Sequence, residues 1–136
     1  MIRIRQRFDA SSAGDAADAV RREFSRPEIA QLVSKGDRVA VCVGSRGIFQ
    51  IDKITLAAIT QLKALGAEPF IVPAMGSHGG ATPSGQKEVL ASYGITEGRM
   101  GVPVDPSMDT VFLGCTDSLK VPVHISRAAY EADWIL

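Results

Sequence analysis

Two short apolar runs, each closed by a turn of the same form, constrain this chain more than any other feature. Val39-Ala40-Val41-Cys42-Val43 runs into Gly44-Ser45-Arg46-Gly47, and Pro69-Phe70-Ile71-Val72-Pro73 is soon followed by Gly76-Ser77-His78-Gly79. Apolarity that is continuous rather than alternating means burial on both faces, the mark of a strand inside a parallel sheet. Between the runs, Ile51, Ile54, Ala58, Leu62 and Leu65 recur at steps of three and four, drawing one apolar stripe along a helix that Gly66 can end. Strand, helix and strand form a βαβ unit, whose strands are parallel and whose crossover is expected to be right-handed. The fold class is therefore α/β, with Rossmann-like βαβ units and a mainly parallel sheet.

The flanking sequence fits around this unit. Ile2 and Ile4 alternate with basic residues ahead of Phe8, which predicts a first strand with one wet face. Helices are expected from Ala13 to Phe24 and from Pro27, the latter stopping by Gly36. Thr82-Pro83 opens a further helix through Gln86, Val89, Leu90 and Tyr93 to Gly94. Val111 to Leu113, Val121 to Ile125 and Asp133 to Leu136 read as short strands around a brief helix near Arg127 to Glu131, and Pro122 restricts the middle one to an edge. Trp134-Ile135-Leu136 looks like the first half of a buried strand. Residues 1–136 are thus expected to be a single domain, cut short of its full sheet on the C-terminal side.

Composition removes several function classes. The 136 residues are 46% hydrophobic and 22% charged, with 15 basic and 15 acidic side chains, which disfavours both disorder and a nucleic-acid footprint. No apolar run approaches the roughly 18 residues of a spanning helix, and Met1 to Arg7 lacks the apolar stretch of a signal peptide, so a cytoplasmic location is expected. Cys42 and Cys115 have no C-x-x-C spacing and are expected to be buried small apolar groups. With His78 and His124 they show no metal-ligand spacing, and His124, between Val123 and Ile125, reads as a strand histidine. Asp105, Asp109 and Asp117 read as turn caps.

The chemistry points to the paired turns. Their offset of 32 positions is about one βα unit, so they would occupy equivalent places at the carboxyl ends of neighbouring parallel strands. Ligands of open α/β sheets bind at that edge, where loop amides and helix N-termini converge. Arg46 and His78 would face one crevice. Arginine offers a planar fork of donors matched to a carboxylate or phosphate, and histidine can take and return a proton near neutrality. Flanking glycines bare the amides and add an anion-binding nest. The glycine-rich run from Gly76 to Gly80 has neither the G-x-G-x-x-G nor the G-x-x-x-x-G-K-[ST] spacing, which disfavours a dinucleotide fingerprint and a P-loop.

Val41 to Ile48, Pro69 to Thr82, and Tyr93-Gly94-Ile95-Thr96-Glu97 together resemble the N-terminal domain of the nickel-dependent lactate racemase family. The likeness covers most of the chain from about Val39 onward, and Gly76 to Thr82 is its most specific part. The resemblance implies an isomerase that racemises or epimerises a 2-hydroxy acid by proton-coupled hydride transfer to a nickel pincer nucleotide, a pyridinium-derived cofactor. His78 matches the first of the family's two catalytic histidines, which removes the hydroxyl proton. Arg46 matches a substrate-binding arginine near the cofactor, and Ser45, Gly76 and Ser77 would contact the cofactor. The chain departs from the racemases proper at Val43, where they have an aspartate, at Gly47, where they have a proline, and at Gly79, where they have an arginine. A divergent branch acting on another 2-hydroxy acid is the expectation.

The second histidine, the lysine that carries the cofactor and the histidine that ligates nickel would lie beyond Leu136, so these residues alone are expected not to turn over substrate. The expected partners are a small 2-hydroxy acid and, through an open sheet edge, a second copy of the chain, with no nucleic acid and no membrane. Fold alone never fixes function, and the alternative is a non-catalytic anion- or nucleotide-binding α/β domain.

Overall fold

The structure is a computed structural model and describes residues 3–7 and 14–136. Strand β1 (Arg38–Val43) lies at the centre of a three-stranded parallel sheet, between β2 (Glu68–Pro73) and β5 (Trp134–Ile135). Helix α1 (Ala16–Phe24) and the single turn α2 (Pro27–Ala30) precede β1, and α3 (Ile51–Ala64) links β1 to β2. A 3-10 turn (His78–Ala81), α4 (Pro83–Ser92) and the short α5 (Glu97–Met100) follow. Then β3 (Thr110–Cys115) pairs antiparallel with β4 (Pro122–Ser126), and α6 (Arg127–Tyr130) leads into β5.

The apolar pattern explains the layering. Val39, Val41 and Val43 point into one core with Ile59 and Leu62 of α3, Ile71 of β2 and Leu90 of α4. Ala40 packs on the other face of the sheet with Phe70, Val72 and Ala129. Burial of each large aliphatic side chain contributes about 1.5–3 kcal/mol. The outer edge of β2 is covered by the 103–105 segment, where the Ile71 amide donates to the Pro103 carbonyl at 2.9 Å and the Asp105 amide to the Ile71 carbonyl at 2.8 Å. Helix ends follow local chemistry. The Asp15 carboxylate caps α1 by accepting from the Asp18 amide, the Thr82 hydroxyl caps α4 by accepting from the Gly85 amide, and Gly66 turns the chain at φ 89° just past α3.

Three local expectations are corrected. Residues 3–7 form no strand and Ile4 is 89% exposed, because alternation supplies a wet face but no neighbouring strand is there to bond; Ile2, Phe8 and Ala13 lie outside the described residues. The last strand is not buried. It is an edge strand bonded on one side to β1, with Trp134 and Ile135 exposed. Cys115 is exposed on a two-stranded sheet with nothing packed over it, whereas Cys42, in the central strand, is half-buried. His124 does lie in a strand, exposed on β4 with its ring 5.3 Å from that of Phe112. Among the described residues no helix is long and apolar enough to cross a membrane.

Candidate functional site

Strands β1 and β2 pair in parallel from Arg38 with Glu68 to Val43 with Pro73, partners thirty positions apart. The two Gly-Ser turns are thirty-two apart, so the second starts two residues farther beyond its strand. Ala74 extends the pairing by donating its amide to the Val43 carbonyl at 2.8 Å, and Met75 is buried in the core. Gly76, at φ 59°, then redirects the chain into the 3-10 turn. The two turns consequently meet tip against tip.

His78 is the meeting point. Its Nδ1 lies 2.5 Å from the Ser45 Oγ and its Nε2 lies 2.5 Å from the Arg46 Nη2. The ring is half-buried, whereas Arg46 is exposed at the rim. Helix α4 supports both turns. The buried Gln86 donates from Nε2 to the Gly76 carbonyl at 2.8 Å, and the Tyr93 hydroxyl donates to the Ser45 carbonyl at 2.7 Å. Nothing in the sequence marks these two supports, since Tyr93 and Ser45 stand 48 positions apart and meet only through the fold. Gly79, at φ 65°, lets the turn press against Gly85 in the first turn of α4.

Several arginines outside this cluster are held in ion pairs. Arg21, Arg26, Arg99 and Arg127 pair with Asp18, Glu23, Asp52 and Glu131 respectively. Arg46 has no carboxylate partner among the described residues. Partial burial acts to raise the Asp52 carboxyl, but hydrogen bonds from Arg99 and the backbone, with the Arg99 charge, outweigh it and hold the group below the ordinary carboxylate range. Burial pushes the Cys42 thiol up, which leaves it protonated and unreactive.

Two clefts flank the turns. One of about 200 Å³ is lined by Ala74, Gly76, Gln86, Ser107, Asp109 and Thr110. The other, of about 160 Å³, is lined chiefly by apolar groups including Val43, Ile48, Ile51 and Leu136. A larger hollow of about 350 Å³ between α4 and α5, lined by Lys87, Thr96 and Glu97, contains none of these groups.

Of the sequence-predicted residues, Ser45, Arg46 and His78 are brought together. Gly76 and Ser77 lie beside them, and the exposed Ser77 hydroxyl has no partner among the described residues. At Gly47, Gly76 and Gly80 a methyl group would meet nothing within 4 Å, so open space adjoins the turns. Open backbone and the Ser77 hydroxyl are the polar groups these residues leave accessible. They offer no ligand set for nickel, since no three metal-ligating side chains cluster among the described residues.

The fold and this cluster define an α/β chain with an anion-suited site at the carboxyl edge of a parallel sheet. Compared with protein-family profiles, with curated proteins and with solved structures, the chain matches none of them significantly.

Proposed function

We propose that Arg46, at the meeting tips of the two turns, binds the carboxylate of a small 2-hydroxy acid and that His78 accepts the proton of its hydroxyl, as one half-site of a racemase or epimerase. The observation that carries this reading is the contact of Arg46 and His78, an anion-binding cation beside a proton acceptor, with no carboxylate among the described residues to neutralise the cation. A 2-hydroxy acid has its hydroxyl on the carbon next to the carboxylate, so a ligand held by a guanidinium presents that hydroxyl to a base a few ångströms away. Tyr93 and Gln86 hold the two turns in position from one rigid helix, which supports the preorganisation such a proton transfer needs.

On this reading Ser77 and the bare amides around Gly76 would hold the nickel pincer nucleotide, and the bound cofactor would supply a reversible two-electron acceptor for the substrate carbon. Everything the chain's own residues do is binding, orientation and proton transfer at the His78 ring. His124, the other histidine, stands on β4 beside Phe112 and serves a different surface. The second reading, an anion- or nucleotide-binding domain without chemistry, is favoured by the glycine-rich approach to α4, with Gly79 and Gly80 both at positive φ and Thr82 as cap.

Paired titrations separate the two. Glycolate differs from acetate by only the hydroxyl, so calorimetry of the purified chain reads the contribution of the base directly. Glycolate is expected to bind about two- to tenfold tighter than acetate, the range of one net hydrogen bond. His78→Ala should erase that preference while leaving acetate affinity within about twofold. Equal affinity for the two acids in the unaltered chain would favour simple anion binding and refute the base assignment.

A further inference from the structure

We propose that this site is gated by its own ligand: Arg46 covers the basic Nε2 of His78, which places the ring proton on Nδ1 against Ser45, until a carboxylate draws the guanidinium away. The inference rests on the functional reading above and adds to it the state of the resting site.

The tautomer follows from donor counting. A guanidinium has donors only, so a 2.5 Å contact between Arg46 Nη2 and His78 Nε2 requires the lone pair to be on Nε2. A neutral imidazole then carries its proton on Nδ1, and the Ser45 Oγ, 2.5 Å away, accepts it. The reverse arrangement would set the Nε2 proton against those of Arg46, and a doubly protonated ring would add like charge. Ser45 is therefore a positioning residue that acts through His78, and the Tyr93 hydroxyl on its carbonyl keeps it there.

The gate follows from what Arg46 lacks. An arginine paired with a carboxylate has little reason to leave, as with Arg99 on Asp52 at 2.6 Å. Arg46 instead rests on a neutral nitrogen at an exposed rim. An incoming carboxylate offers two charged acceptor oxygens to the same fork, a stronger partner than one imidazole lone pair. Transfer of the guanidinium to that carboxylate frees Nε2 beside the ligand's hydroxyl. The base is thus masked in the empty site and exposed only when its substrate arrives, which protects a reactive nitrogen from adventitious protonation or metal capture.

Nitrogen-15 correlation spectra of the histidine rings in the full chain test this, and with two histidines the assignment needs only a His124→Gln variant. In the ligand-free chain His78 is expected as the Nδ1–H tautomer, with Nε2 lacking a proton. Glycolate added at constant pH should shift Nε2 and leave Nδ1 bonded. Arg46→Gln should abolish the glycolate-induced shift and weaken glycolate binding roughly tenfold to a hundredfold, the range of a charged hydrogen bond. Ser45→Ala, with Arg46 still on Nε2, should keep the proton on Nδ1 and shift only the Nδ1 resonance through the lost hydrogen bond, and Ser45→Thr, which keeps the hydroxyl, should restore it. A ligand-free His78 with its proton on Nε2 overturns the inference, and glycolate selectivity in the same sample would leave the functional reading standing. An Nδ1–H tautomer whose Nε2 ignores bound glycolate overturns the gate alone. Failure of glycolate to bind at all, by calorimetry, overturns both.

Discussion

Gly79→Ala gives the sharpest test of how the site is built. A Cβ placed on Gly79 would lie 2.4 Å from the Gly85 carbonyl carbon and 2.5 Å from the Gln86 amide nitrogen. Both are backbone atoms of the first turn of α4, so no side-chain rotation relieves the clash. Gly79 also sits at φ 65°, a left-handed conformation that costs a residue with a Cβ about 1–2 kcal/mol. Forcing extra volume into a packed contact costs about 1–3 kcal/mol more. The total is about 2–5 kcal/mol, or roughly 8–20 °C in Tm at about 4 °C per kcal/mol for a domain of this length.

Gly76→Ala is the internal control. Gly76 has φ 59° but nothing within 4 Å of its Cβ position, so only the conformational cost of about 1–2 kcal/mol, roughly 4–8 °C, remains. Thermal unfolding followed by circular dichroism at one pH reads both variants. If Gly79→Ala melts no lower than Gly76→Ala, α4 does not abut the turn, and the account of how His78 is held fails with it.

Two further expectations concern stability. The Lys87 hydrogen bond, then the Val104 amide and the Lys87 charge, hold the Glu97 carboxyl below its ordinary value. A carboxyl lowered in the folded state contributes stability that is full above the ordinary carboxylate range and is lost as pH falls through the lowered folded value. Tm measured against pH should therefore fall less steeply on the acid side for Glu97→Gln than for the unaltered chain, and parallel curves would contradict the ion pair. Leu90, fully buried between α4 and the sheet, should cost about 2–5 kcal/mol on truncation to alanine by denaturant titration. Leu119, 81% exposed, should change stability by no more than about 0.5 kcal/mol under the same treatment, and a comparable loss at both positions would mean the core is misplaced.

The unit β1, α3, β2 and α4 was legible in the sequence because its signals are local and redundant. Continuous apolarity in Val39–Val43 needs two covered faces, and the Ile51 to Leu65 stripe has a single helical period. The strand expected from Ile2 onward failed because alternation says which face is wet but not whether a partner exists, and residues 3–7 have none. β5 was placed correctly along the chain, yet its exposure depends on what covers Trp134 and Ile135, which no local pattern records. Arg46 and His78 were legible as candidates from their matched turns. Their contact was not, because it depends on the two additional residues, Ala74 and Met75, that offset the second turn from the strand register.

That offset and Gly79 together narrow the ligand on the proposed reading. The close approach of Gly85 and Gln86 leaves Gly79 no room for any side chain. The second turn therefore contributes an imidazole and bare amides but no permanent cation. Arg46, from the first turn, is the guanidinium that reaches the cluster, and it does so with no carboxylate to balance it among the described residues. One guanidinium fork matches one carboxylate, whose two oxygens it can hold together. A monocarboxylate with its hydroxyl on the adjacent carbon satisfies Arg46 through its oxygens and His78 through its hydroxyl at once.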